Sequence, residues 1–201
     1  SQFSPVKSLA TLPMALSIVG IAIFAIFAAK VMSIIGRRAG FIFASIISSL
    51  SSLLAAYSII IESFILFNFA CFLLGAGVAF SHQYRFAAVE TVKKDMAPKA
   101  ISIILLAGIG SAFIGPNVAN ITKDIIAEHL YAGSYIALAA LTLTSIIFLL
   151  FYKDGHKPNR INKKTSRSYL ELISQPRFLQ ALVASAFAYA VMSFLMTATP
   201  I

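Results

Sequence analysis

The sequence predicts an all-α, polytopic helical membrane protein. Of its 201 residues, 59% are hydrophobic and 11% are charged, whereas soluble domains are about 25% charged. Six mostly apolar windows each have about 20 residues, the length that crosses the hydrocarbon core as a helix. They do not alternate apolar and polar residues as the strands of a membrane barrel do. The six windows are residues 9–29, 39–61, 63–83, 100–121, 132–152 and 178–198.

The basic residues indicate how these windows are threaded through the bilayer. Loops at 30–38, 84–99 and 153–177 contain 14 of the 16 Lys and Arg residues, and successive spans place all three loops on one face. Because Lys and Arg mark cytoplasmic loops, these three loops are predicted to be cytoplasmic. The formal net charge of +9 then reflects topology, so the lipid bilayer is an expected partner and nucleic acid is not.

The first two windows are joined by a short loop that contains Gly36, Arg37 and Arg38. Glycine lets the chain turn without a side-chain clash, and the two arginines can hold the loop at the level of the headgroups. Such an anchor explains the loop without any further role. The second window contains the small-residue tract 44–52, which predicts close helix packing; a polar path is the alternative.

The third window ends in the polar segment that contains His82, Gln83 and Arg85. An ionisable residue within a span is costly, which makes it a functional candidate. Arg85 can also reach the interface as an anchor, and histidine is the residue type that titrates near neutral pH. These three residues and Asn117 form the candidate path for a substrate or proton. Glu90 is expected to be a solvated loop charge, and an ion pair with Arg85, Lys93 or Lys94 at the inner gate is the alternative.

Uncharged polar groups within the spans require hydrogen-bonding partners. Asn68 in the third window and Asn117 in the fourth are expected to bond to neighbouring helices, with a solute in a cavity as the alternative. The fourth window also contains Gly115 and Pro116. Proline removes a backbone hydrogen bond, so this pair predicts a bend in the helix.

The polar segment after the fifth window divides the chain. Residues 1–152 form a five-span part, residues 153–176 a basic cytoplasmic linker, and residues 177–201 the last span. The linker is a solvated tether or a segment that binds anionic headgroups. The single cysteine excludes an internal disulfide, and neither a metal-ligand cluster nor a nucleophile with a base is recognisable, so no cofactor, metal or catalytic residue is expected.

Two stretches resemble patterns of the major facilitator superfamily of secondary transporters, and a third pattern of that family is not matched. Its loop after the second helix follows G-x-L-a-D-r-x-G-r-R, and here Gly36, Arg37 and Arg38 match the end of that pattern while Ser33 replaces the aspartate. Its fifth-helix pattern, g-x-x-x-G-P-x-x-G-G, matches at Gly115 and Pro116. The arginine of its fourth-helix pattern is absent, because that position falls at Cys71.

The resemblance implies that the chain covers the second to seventh helices of a twelve-helix bundle. It also implies a secondary active transporter of a small solute, working by alternating access in a bacterial inner membrane and coupled to protons, with antiport slightly favoured. In that arrangement Gly36, Arg37 and Arg38 act at the inner gate. A non-transporting receptor or scaffold is the alternative, and enzymatic activity is not expected.

Overall fold

The computed structural model describes residues 9–126, 129–152 and 174–198, and all regular structure within these ranges is helical. Six helical segments are long and apolar enough to span a membrane. Their positions agree with the six predicted windows to within a few residues, except that the first helix is longer. The helices are α1 (Leu12–Ile35), α2 (Arg37–Ile60), α3 (Phe64–Ser81), α4 (Tyr84–Thr91), α5 (Ala97–Thr122), α6 (Ala132–Phe151) and α7 (Pro176–Ala198).

A single residue connects α1 to α2. Gly36 has φ 88° and ψ 164°, which is a conformation that glycine adopts without steric cost. The predicted loop at 30–38 is therefore wrong in extent. Lys30 lies within α1, and Arg37 and Arg38 are the first two residues of α2.

The third span is interrupted near its basic end. α3 ends at Ser81, residues 82 and 83 form a turn, and α4 follows, with a short 3-10 helix at Lys94–Met96 before α5. Most of the predicted loop at 84–99 is thus helical. The start of α3 is capped by the Ser63 hydroxyl oxygen, which accepts a hydrogen bond from the Leu66 backbone N–H at 3.4 Å.

Small residues bring the helices into close contact. α3 packs against both α1 and α2, and α2 packs against α6. Where α1 crosses α3, Gly20 lies against Gly75, and a Cβ atom on Gly75 would overlap the Ser17 carbonyl oxygen. Such crossings need residues without bulky side chains, because the two backbones approach directly.

The tract at 44–52 serves packing, as predicted. Ser45 and Ser145 join α2 to α6 through their hydroxyl groups at 3.0 Å, and the Ser49 hydroxyl donates to the Ala139 carbonyl at 3.3 Å. Ser52 is fully buried and bonds to its own helix. Hydroxyl groups in these positions link helices that have little hydrophobic reason to associate in lipid.

The chain forms two compact units, residues 1–158 and residues 159–201. The first unit contains α1 to α6, and the second contains α7. Most of the predicted linker at 153–176 lies outside the described residues. Many large apolar side chains are exposed, as in α5, where Phe113 is 71% exposed. Exposed apolar surface of this kind suits a chain that contacts lipid.

Candidate functional site

Arg37 forms the most extensive polar contacts at the basic end of the helices, the end at which α1 meets α2 and α4 meets α5. Its Nε donates to Glu90 Oε2 at 3.0 Å and its Nη2 to Glu90 Oε1 at 2.6 Å. Its Nη1 donates to Gln83 Oε1 at 3.4 Å. This two-pronged contact with a carboxylate is the geometry that guanidinium groups favour. We call Arg37, Gln83 and Glu90 the Arg37 cluster.

The turn at Gly36 places the guanidinium in this position. Because Gly36 ends α1 and Arg37 begins α2, the side chain starts at the very end of the bundle. Met32, on the last turn but one of α1, is buried, and its sulfur lies 3.8 Å from Arg37 Nη1. The Arg37 side chain is thereby held against α1 while it reaches α4.

An aromatic stack supports the same contact one turn along α2. The rings of Phe41 and Tyr84 lie 4.1 Å apart at 15°, and Phe41 is 1% exposed. Ala87, on the next turn of α4, is also buried and belongs to the same hydrophobic core as Phe41. The short helix α4 is therefore held to α2 by an ion pair and by ring stacking together.

Three other predicted residues of this end lie at the surface. His82 lies in the turn between α3 and α4 and is exposed, as are Arg85 and Arg38. Gln83 is the one predicted path residue that joins the Arg37 cluster. The alternative that Glu90 pairs with Arg85 or a nearby lysine is wrong, because the fold brings the start of α2 closer to its carboxylate.

The helix-bend residues lie on α5, far from the Arg37 cluster. Gly115, Pro116 and Asn117 are exposed, and the helix continues through Pro116. Apart from its chain neighbours and the backbone of its own helix, no described heavy atom lies within 4 Å of the Cβ position of Gly115. From Ala97 at the basic end, 20 residues of helix place Asn117 about 30 Å away. The candidate path residues therefore occupy two opposite ends and do not form one site.

Within the part of the chain that the structure describes, both asparagine side chains donate to their own helices. Asn68 Nδ2 donates to the Phe64 carbonyl at 2.8 Å, and Asn117 Nδ2 donates to the Phe113 carbonyl at 2.7 Å. Both carbonyls belong to the asparagine's own helix, so the described contacts of the buried Asn68 do not include the expected bond between helices, whereas for the exposed Asn117 that bond stays a prediction. Among the described residues, the buried Asn68 Oδ1 has no hydrogen-bonding partner.

Two cavities lie toward the opposite end of the helices. The larger, of about 490 Å³, is lined by residues of α2, α3, α5 and α6, including Gly115 and Tyr131. The smaller, of about 450 Å³, lies between α1, α3 and α6 and includes Cys71. Phe67 and Tyr135 line both cavities, with their rings in an edge contact at 5.7 Å. The walls of both cavities are largely apolar and aromatic.

Cys71 occupies the position at which the family pattern has an arginine. The thiol is buried in α3, and Cys71 lines the smaller cavity together with Tyr135 of α6. Ser33, at the aspartate position of the other pattern, donates to the Lys30 carbonyl at 2.7 Å within α1. Within residues 9–126, 129–152 and 174–198, no group of three or more His, Cys, Asp or Glu side chains could hold a metal ion.

Sequence reasoning missed Glu90 and Tyr84 as partners of α2. The sequence does contain one signal, since Gln83 and Glu90 are seven residues apart and such residues share a face of a helix. That spacing predicts a common partner for the two side chains. It does not say which helix provides the partner, because Arg37 is 53 residues away from Glu90.

Comparison with known proteins identifies the family to which this chain belongs. The sequence profile of the Major Facilitator Superfamily matches residues 1–201. The riboflavin transporter RfnT of Brucella anthropi is 33% identical over 96% of this chain. Two uncharacterized MFS-type transporters of Bacillus subtilis, YddS and YdeG, are 28% and 27% identical over 73% and 72% of the chain.

This chain is shorter than those relatives. It spans 49% of RfnT and 35% of each Bacillus protein. No solved structure shows a significant match. The profile match along the whole chain, together with its six helices of membrane-spanning length, establishes that it is an integral, multi-pass membrane chain belonging to the Major Facilitator Superfamily.

Proposed function

We propose that the protein containing this chain is a secondary active transporter that moves a small organic solute by alternating access. The observation that carries the proposal is the similarity to the riboflavin transporter RfnT over 96% of the chain. Family membership supports transport in preference to enzymatic catalysis. Since the chain spans about half of that relative, the activity belongs to the whole protein, and riboflavin is the first substrate to test.

The proposed orientation places the Arg37 cluster on the cytoplasmic side of a bacterial inner membrane. It is supported by the concentration of Lys and Arg in the loops at 30–38, 84–99 and 153–177. The matched relatives are bacterial. In this orientation Gly36, Arg37 and Arg38 act at the inner gate.

The contacts of Arg37 suggest how that gate is held. Arg37 bonds to both oxygens of Glu90 and to Gln83, so one side chain links the α1–α2 turn to α4. Gln83 lies in the break that follows α3, and Glu90 lies beyond it on α4. A contact that spans such a break can hold α4 in one orientation and release it when the ion pair opens, which gives a two-state element of the kind that transporters need.

Two further roles are part of the proposal. Gly115 and Pro116 give α5 a bend near the end opposite the Arg37 cluster, because Pro116 provides no backbone N–H for the helix. Protons are the proposed coupling ion, and antiport is the favoured mode of coupling. His82 is the first residue to test for coupling, because histidine changes charge near neutral pH and His82 lies exposed in the turn before α4.

Uptake by the full-length protein in proteoliposomes tests transport and the gate. Riboflavin uptake is measured with and without an imposed pH gradient, for the unchanged protein and for Arg37→Ala, Glu90→Ala and Arg177→Ala. We expect uptake to be enhanced by the gradient and lowered by the first two substitutions. Arg177→Ala is the matched control, since Arg177 is an exposed arginine at the start of α7.

The candidate path residues require their own variants. Arg85→Ala and Gly115→Leu are expected to reduce uptake at normal expression, and unchanged uptake in both would remove their assigned roles. Riboflavin binding without any flux, under gradients of either direction, would favour a receptor or scaffold. If riboflavin neither binds nor crosses the membrane, a screen of other small solutes tests transport separately from substrate identity.

A further inference from the structure

We infer that the segment between α3 and α5 binds the phosphodiester headgroups of anionic phospholipids. The binding surface consists of three cations, Arg85 on α4, Lys93 before the 3-10 helix and Lys99 in the first turn of α5; we call these three residues the basic strip. All three side chains are exposed. The inference depends on the chain spanning a membrane and does not depend on the proposed transport activity.

The charge balance of residues 84–99 favours an anionic ligand. The segment contains two carboxylates, Glu90 and Asp95. Glu90 is engaged by Arg37 from outside the segment, at 2.6 Å. Its negative charge is therefore compensated without using any member of the basic strip. Asp95 alone is left to oppose the three exposed cations.

The members of the basic strip have no carboxylate of their own in the described part of the chain. The ion pair found there joins Arg37 to Glu90, and Arg85, Lys93 and Lys99 form no ion pair with the described residues. The three exposed cations lie at one end of the membrane-spanning helices, which is the level of the lipid headgroups. The segment 84–99 contains four basic residues in all, and a cluster of that size beside a membrane span attracts an anionic lipid surface.

Exposed apolar side chains alternate with these cations. Phe86 is 59% exposed and follows Arg85 directly, while Met96 is 44% exposed and lies between Lys93 and Lys99. Segments that lie in the interface combine apolar side chains, which enter the acyl boundary, with Lys and Arg, which reach the headgroups. A surface that met only water or an acidic protein segment would not need this arrangement.

The position of the strip is constrained by the fold. α4 is held to α2 by the Phe41–Tyr84 stack, and α4 and the 3-10 helix both contact α5. The segment is therefore a folded surface that is packed against α2 and α5, which preorganises its cations. Preorganised groups bind a ligand with less loss of conformational freedom than a flexible tail does.

Competition between two lipids tests the inference. The full-length protein is reconstituted in an equimolar mixture of phosphatidylglycerol and phosphatidylcholine, extracted in a neutral detergent, and analysed by native mass spectrometry for retained lipid. We expect retention of phosphatidylglycerol to exceed that of phosphatidylcholine. Each neutralised cation should lower this preference about fivefold, and the triple variant Arg85→Gln/Lys93→Gln/Lys99→Gln by on the order of a hundredfold.

Two controls separate charge at this surface from general effects. Lys123→Gln removes a cation at the opposite end of α5 and should leave the preference unchanged. The triple variant Arg85→Lys/Lys93→Arg/Lys99→Arg retains the charge and should preserve the preference. Circular dichroism melting of each variant confirms that it is folded.

Three results would overturn the inference. One is equal retention of the two lipids by the unchanged protein, and another is an undiminished preference in the folded glutamine variant. The third is displacement of phosphatidylglycerol by inorganic phosphate at the same phosphate concentration, because the surface would then select a free anion and not a lipid. Riboflavin uptake does not enter any of these measurements, so the outcome is independent of the proposed function.

Discussion

Replacing Gly75 by alanine is expected to destabilise the contact between α1 and α3. A Cβ atom at this position would overlap the Ser17 carbonyl oxygen and would lie 2.9 Å from the Ile21 nitrogen and 3.0 Å from the Gly20 Cα. All three are backbone atoms, so no side-chain rotation can relieve the overlap. The two helices must move apart.

The magnitude follows from two opposing effects. Forcing extra volume into a close-packed contact costs about 1–3 kcal/mol, and the rigid neighbours of Gly75 favour the upper end of this range. Alanine in a helix interior regains about 0.5–1 kcal/mol relative to glycine. The net effect of Gly75→Ala should therefore be a loss of about 2 kcal/mol in the free energy of unfolding.

Gly110→Ala is the matched control, because it makes the same chemical change in a different environment. Apart from its chain neighbours and the backbone of its own helix, no described heavy atom lies within 4 Å of the Cβ position of Gly110, so the gain in helix propensity should act alone. The 201-residue chain is unfolded by titration with sodium dodecyl sulfate in a mild detergent and followed by circular dichroism. The reasoning fails if Gly75→Ala is as stable as the unchanged chain, or if both variants shift in the same direction by the same amount.

Three further predictions concern other contacts and use the same unfolding measurement. Arg37→Ala and Glu90→Ala should show a coupling energy of about 0.5–1 kcal/mol in a double-mutant cycle, since side chains that are 22% and 43% exposed are screened by solvent; additive effects would contradict a direct ion pair. Phe41→Leu should cost about 2 kcal/mol through lost stacking and packing, whereas Tyr84→Phe, which retains the ring, should remain within about 0.5 kcal/mol of the unchanged chain. Ser49→Ala should cost about 0.6 kcal/mol, because its hydroxyl donates to a carbonyl of α6; an unchanged stability would show that this bond does not link the helices.

The sequence predicts the spans well and their connections less well. The windows at 132–152 and 178–198 agree closely with α6 and α7, because insertion into lipid depends on the summed transfer free energy of about 20 consecutive residues. The loop at 30–38 was predicted too long, since the polarity of Arg37 does not reveal that it begins a helix. A charged residue at the end of a helix is counted with the loop because of its polarity, although its backbone is helical.

The candidate site was only partly predictable from the sequence. Local patterns indicate which residues are unusual, but they do not show which distant residues contact them. The resemblance to a family pattern singles out Gly36 and Arg37 as candidate gate residues, and the structure places them at the α1–α2 turn. The pairing of Arg37 with Glu90 was not predicted, since a carboxylate in a polar segment is expected to be solvated or to pair with a cation nearby in the sequence. Asn68 and Asn117 bond within their own helices because the carbonyl four residues earlier is always within reach, whereas a partner on another helix depends on its rotation.

The sequence alone determined that this chain is a multi-pass helical membrane protein and which family patterns it contains, because hydrophobicity and spacing are properties of contiguous residues. The tertiary structure decided which helices touch and which side chains meet. It brought Arg37 to Glu90 across 53 residues and set Gly75 against the backbone of α1. In lipid, where every span is apolar, helix contacts depend on close packing and on a few polar groups, and such complementarity exists only once the helices are arranged in three dimensions.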